Sequence, residues 1–150
     1  MRTIIQRVKE ASVHIGGKPH AAIGSGLLVL AGFEAADHSE EVSWMAHKVL
    51  NLRLFNDEQG VPNYSVVNQQ GSILVVSQFT LHALTKKGNR PSYIKAARPE
   101  TAIPLYNEFV DVLKQQPGIT IATGEFGADM QVHLVNDGPV TIFIDSLNRM

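Results

Sequence analysis

Two short apolar runs, Leu27-Leu28-Val29-Leu30-Ala31-Gly32-Phe33 and Ser72-Ile73-Leu74-Val75-Val76, constrain the fold of this chain more than any other feature. Apart from the leading Ser72, each is continuously apolar over a length that suits a strand and is rich in branched aliphatic residues, so each reads as a buried strand. Other strand-like segments surround them. Residues 3–8 and 11–15 form two, followed by a Gly16-Gly17-Lys18-Pro19 turn. Residues 52–55 form a short one ended by the Asp57-Glu58-Gln59-Gly60 turn. Residues 118–122, 130–135 and 140–145 complete the set, with Met130, Val132 and Leu134 on one face by alternation.

Only two segments carry a helical period. Val42, Met45, Ala46, Val49 and Leu50 share one face behind a start at Asp37 and Glu40. Leu105, Phe109, Val112 and Leu113 do the same within residues 100–116, where Pro104 requires a first-turn position or a kink. Seven or more strands with two helices predict an α+β fold: a mainly antiparallel, barrel-like β-sheet with two flanking helices. At 150 residues the chain suits a single domain, 1–150, of a size that buries about 68–70% of its unfolded surface.

With no cysteine, the chain has neither a disulfide nor a thiol nucleophile. Gln6 and Arg7 interrupt the N-terminal segment before a signal-peptide core forms, and no apolar run reaches membrane-spanning length. The expectation is a soluble cytoplasmic protein with no membrane association. The net charge is only −1, yet its distribution is uneven. Residues 59–99 contain no Asp or Glu, whereas Lys86, Lys87, Arg90, Lys95 and Arg98 crowd their second half. That asymmetry fits a polyanion such as RNA, and it equally fits a solvated lysine-bearing loop. The aperiodic residues 84–98, with Gly88 and Pro91, read as a long exposed loop.

No nucleophile elbow, phosphate-binding loop or zinc-hydrolase motif is present. The six histidines are scattered without metal-site spacing, so neither a metal nor another cofactor is expected. Chemistry is left to two short segments. In Ser77-Gln78-Phe79-Thr80-Leu81 an apolar strand gives way to small polar groups, and amides that have run out of ladder partners can stabilise an oxyanion. The competing reading is a strand that continues, with Phe79 and Leu81 in the core. Asn136-Asp137-Gly138-Pro139 is first of all a turn or bulge. Proline there can take the cis form, which points two successive carbonyls in nearly the same direction.

Taken with residues 4–8, 50–55, 86–92 and 123–130 in order, these segments resemble the D-aminoacyl-tRNA deacylase family over essentially the whole chain. One segment departs: Gly60-Val61-Pro62-Asn63 stands where the family commonly has Gly-Lys-Met-Asn. The resemblance implies hydrolysis of the ester between a D-amino acid and tRNA, a chirality-proofreading step, with glycyl-tRNA also accepted. It implies catalytic Ser77, Gln78, Phe79 and Thr80, substrate-binding Gly138 and Pro139 braced by Arg7, and RNA contacts from Lys86, Lys87 and Arg90. It further implies a homodimer whose active site lies at the subunit interface, with Gly138 and Pro139 reaching in from the partner. Backbone amides around Gln78 and Phe79 would hold the oxyanion. No base for Thr80 is evident, so it is expected to support a reaction assisted by the substrate's own 2′-hydroxyl. Two alternatives stand beside this reading: a non-catalytic RNA-end-binding dimer, and an ester or amide hydrolase with Thr80 as nucleophile.

Overall fold

The computed structural model describes residues 1–149. Its elements are β1 (Arg2–Ile15), β2 (Lys18–Ile23), β3 (Gly26–Gly32), α1 (Ser39–Asn51), β4 (Phe55–Asn56), β5 (Pro62–Tyr64), β6 (Ser72–Ser77), α2 (Pro99–Lys114), β7 (Thr120–Thr123) and β8 (Met130–Asp145), with a 3-10 turn at Phe79–His82. β1 is the spine. It pairs antiparallel with β8 along its whole length on one side, and with β3 and then β2 on the other. β6 adds to β3 and β7 to β6, both parallel. The sheet is thus mixed and nearly closed, mainly antiparallel as expected but with a parallel segment at β3-β6-β7.

The two apolar runs owe their composition to that position. On β3, Leu27, Val29 and Ala31 face one core with α1 and α2, while Leu28 faces a second with Val8 and Val13 of β1. On β6, Ile73 and Val75 join the first core, and Leu74 and Val76 the second. A strand buried on both faces cannot alternate with polar residues. The helices cover one face only, through Val42, Met45 and Val49 of α1 and Phe109 and Leu113 of α2.

Several expected boundaries move. Residues 3–8 and 11–15 are one strand carrying bulges, and so are residues 130–135 and 140–145. The turn after residue 15 is only Gly16-Gly17, both at positive φ (58° and 75°), where glycine suits a two-residue hairpin. Lys18 and Pro19 already belong to β2, an edge strand in which a proline costs no ladder bond. Within residues 52–55 only Phe55 is in a strand, paired with Tyr64. α1 begins after His38, whose N–H donates to Glu41 at 2.9 Å and holds that carboxyl below its ordinary range. Asp37 is instead buried, accepting from the Met1 ammonium and the Glu34 N–H. Pro104 lies within α2, one turn past its start, and Pro99 takes the first position, where a missing N–H costs nothing. Among the described residues no helix is long and apolar enough to cross a membrane.

Candidate active site

The parallel pairing of β3 and β6 continues one residue beyond the strand, the Gln78 N–H donating to the Ala31 carbonyl at 2.8 Å. There the ladder stops and the chain folds into the Phe79–His82 turn. Leu81 N–H donates to the Gln78 carbonyl at 3.3 Å, and Ala83 N–H to the Thr80 carbonyl at 3.1 Å. The N–H groups of Phe79 and Thr80 have no backbone acceptor among the described residues. The free amides are therefore one residue further along than the sequence suggested, because Ala31 occupies the amide of Gln78.

Gly32 permits this turn. A Cβ on it would stand 2.6 Å from the Gln78 carbonyl oxygen and 3.2 Å from the side chains of Leu81 and His82. His82 is fully buried below the turn, its Nε2 without a partner among the described residues. From the other side Arg2 donates to the Leu81 carbonyl at 3.1 Å and to Asp145 at 2.8 Å. Burial works against the charge on Asp145, but the bonds from Arg2 and from the Leu147 N–H outweigh it and hold the carboxyl below its ordinary range. Tyr106 of α2 donates to the Val75 carbonyl at 3.1 Å, anchoring β6 just before it delivers Ser77. Burial pushes that phenol up to about 12.

The competing expectation of a continuing strand fails here. Phe79 is 55% exposed and meets Tyr93 edge-on at 5.1 Å. Gln78 Nε2 donates to Thr80 Oγ1 at 2.6 Å, and among the described residues no histidine or carboxylate bonds to that hydroxyl.

A cavity of about 620 Å³ opens beside the turn. Ser77, Gln78 and Phe79 line it, and Thr80 does not. The wall also includes Tyr93, Arg98, Phe126, Asp129 and Met130, none of which the sequence marked as a site residue. Four aromatic rings reach its wall, counting Phe33. Residues 123–130 had stood out as a family-like string, the one sequence signal that could have found Phe126, Asp129 and Met130.

Gly138 and Pro139 lie elsewhere. Along the β1-β8 ladder Gln6 pairs with Thr141 and Val8 with Asn136, so Arg7 alone faces the four residues 137–140, which bulge out. The Gly138-Pro139 peptide bond is cis. Arg7 holds the bulge, donating to the Asp137 carbonyl at 2.8 Å and lying 3.3 Å from its carboxylate, while also bonding the Leu54 carbonyl. Asn136 closes the base, donating to the carbonyls of Arg7 (3.0 Å) and Val140 (3.2 Å). A Cβ on Gly138 would stand 2.5 Å from Asn136 Oδ1 and 2.9 Å from the Val140 nitrogen. Neither Gly138, Pro139 nor Arg7 lines the cavity.

Lys86, Lys87 and Arg90 are exposed on the loop between the 3-10 turn and α2, which is pinned at its base by a bridge between Leu84 and Ser92. None of them reaches the cavity wall. His14 and His133, far apart in sequence, meet across β1 and β8 with ring centroids 4.7 Å apart. No third ligand joins them among the described residues.

A family model described as D-Tyr-tRNA(Tyr) deacylase matches residues 4–145. The chain belongs to that family. It is 57% identical to a D-aminoacyl-tRNA deacylase of Parabacteroides distasonis and 59% identical to one of Akkermansia muciniphila, each over 99% of both chains. Among solved structures it superposes on the c-Myc DNA Unwinding Element Binding Protein at TM-score 0.91 and 46% identity, covering 97% of this chain and 98% of that one. A probable eukaryotic D-amino acid tRNA deacylase shares the fold at TM-score 0.84 and 16% identity, covering 95% and 97%.

Proposed function

We propose that this chain, acting as one deacylase domain in the cytoplasm, hydrolyses the ester bond of D-aminoacyl-tRNA and of glycyl-tRNA, freeing amino acid and tRNA. The observation that carries the reading is the pair of unpartnered amides, Phe79 and Thr80, in a turn whose Phe79 lines a cavity walled by aromatic rings. Water adds to the ester carbonyl, and its oxygen takes the negative charge within reach of those two N–H donors. Removing one such donor typically costs about 10²–10³ in rate. Collapse then breaks the bond to the ribose oxygen, which takes up a proton. The neighbouring ribose hydroxyl is already in place to relay it, whereas Thr80 has no base and accepts a hydrogen bond from Gln78. Thr80 is thus a supporting group. Ser77 and Gln78 position the substrate's polar groups, and the rings stack on its terminal base.

The Gly138-Pro139 bulge acts as the chirality filter, entering the cavity of a second copy of the chain. Two observations support this: the bulge is rigidly held by Arg7 and Asn136, and it does not line its own chain's cavity. Glycine at 138 leaves the tip bare, so a D side chain or none passes while an L side chain meets the bulge. Lys86, Lys87 and Arg90 follow the RNA backbone beyond the terminal nucleotide.

The test is incubation of the protein with D-tyrosyl-tRNA and L-tyrosyl-tRNA. Release of D-tyrosine with L-tyrosyl-tRNA spared is expected; no release of D-tyrosine at micromolar protein contradicts the proposal.

A further inference from the structure

Arg98 stands apart from the other basic residues of the acid-free stretch. It lines the cavity, whereas Lys86, Lys87, Arg90 and Lys95 do not. It is the single cation in that wall; the single anion, Asp129, is engaged by the Gln131 amide at 3.4 Å. Among the described residues no carboxylate lies within ion-pairing distance of Arg98, and its side chain donates no hydrogen bond. Its backbone is nevertheless fixed, because its carbonyl accepts from Thr101 at 2.9 Å and Ala102 at 2.8 Å as α2 begins. An exposed guanidinium with a rooted base and no internal partner is suited to an external anion, and its planar fork matches a phosphate's oxygens in pairs. The start of α2 adds a weak field of the same sign.

We infer that Arg98 forms a binding site for the 5′-phosphate of the terminal nucleotide, locking the nucleoside in the cavity with its ester at the Phe79 and Thr80 amides. This rests on the proposed function, and it adds to it the contact that tells a nucleotide from a nucleoside. Arg98 then positions substrate and takes no part in bond breaking.

The probes are adenosine and adenosine 5′-monophosphate, titrated by calorimetry or NMR into the wild-type protein, Arg98→Gln and Lys95→Gln. In the wild type the monophosphate is expected to bind about tenfold tighter than the nucleoside, or about 1.4 kcal/mol. Arg98→Gln should erase that preference with adenosine affinity unchanged, and Lys95→Gln should keep it. On D-tyrosyl-tRNA, Arg98→Gln should raise KM about tenfold with kcat within about twofold. Equal binding of the two probes to the wild type, an undiminished preference in Arg98→Gln, or binding of neither probe overturns the inference. Cleavage of D-tyrosyl-tRNA by the wild type in any of those cases leaves the deacylase reading intact, so the two failures are distinguishable.

Discussion

The Ser77–Thr80 turn and the Gly138-Pro139 bulge solve opposite problems. The turn continues a strand buried on both faces and, in the proposed function, acts by running out of partners, leaving two amides free beside an open cavity. The bulge interrupts a half-exposed strand and, in the same proposal, acts by being over-supplied with partners, through Arg7 and Asn136. On that proposal one is a site made by what the backbone lacks, the other a probe made rigid by side chains. Damage to the first should therefore remove rate, and damage to the second should remove selectivity.

The largest effect is expected from Gly32→Ala. Its Cβ collides with the Gln78 carbonyl and the turn must shift. Misplacement of about 1 Å costs roughly 10²-fold in rate. Single-turnover deacylation checks this, and a rate near wild type would show that the turn's placement does not matter. Arg7→Ala comes next. It removes the donor to Asp137 and Leu54, each charge-assisted bond being worth about 1.5–3 kcal/mol. The ratio of D- to L-substrate hydrolysis should fall at least about tenfold, with less loss of rate on the D-substrate. Arg7→Lys should not restore it, since one ammonium cannot span both acceptors.

Thr80→Val sharpens the role of the hydroxyl. As a supporting group it should cost about tenfold, one hydrogen bond's worth, with no acyl-enzyme seen by mass spectrometry in either protein. Abolished activity, or a trapped acyl-Thr80 in the wild type, would make it the nucleophile. A smaller effect belongs to pH and to the anchor below the turn. Burial raises the Tyr106 phenol to about 12, so the folded state keeps a proton the unfolded chain releases near 10. Its stabilising contribution is present below about pH 10 and is lost as pH rises toward 12. Denaturant midpoints at pH 9 and pH 11.5 should draw apart in the wild type and less so in Tyr106→Phe.

What was legible in the sequence follows the same division. The buried runs of β3 and β6 and the apolar face of α1 were plain because burial dictates composition there, residue by residue. β1 and β8 each read as two strands because a bulge and a turn use the same residues; only the partner strand, with Arg7 facing four residues, distinguishes them. β2 was hidden by its proline and polar composition, which an edge strand tolerates. At the site, Ser77 to Thr80 stood out by the change from apolar to polar, but the occupied amide of Gln78 depended on Ala31, a register that sequence does not express. Arg98 was visible as a charge in the acid-free stretch. Its place on the cavity wall came from the start of α2.

The central claim is that turn and bulge of different copies form one site. Gly32→Ala disables the turn, and Gly138→Val, which puts bulk on the tip that glycine leaves bare and crowds Asn136 and Val140, blocks the cavity the bulge enters instead of only loosening its selectivity. Each variant alone should be nearly inactive on D-tyrosyl-tRNA. Unfolded together and refolded at equal concentration, they should regain roughly a quarter of wild-type activity, since about half the dimers are mixed and each mixed dimer holds one intact composite site. Activity that stays at the mean of the two variants measured separately would contradict the account.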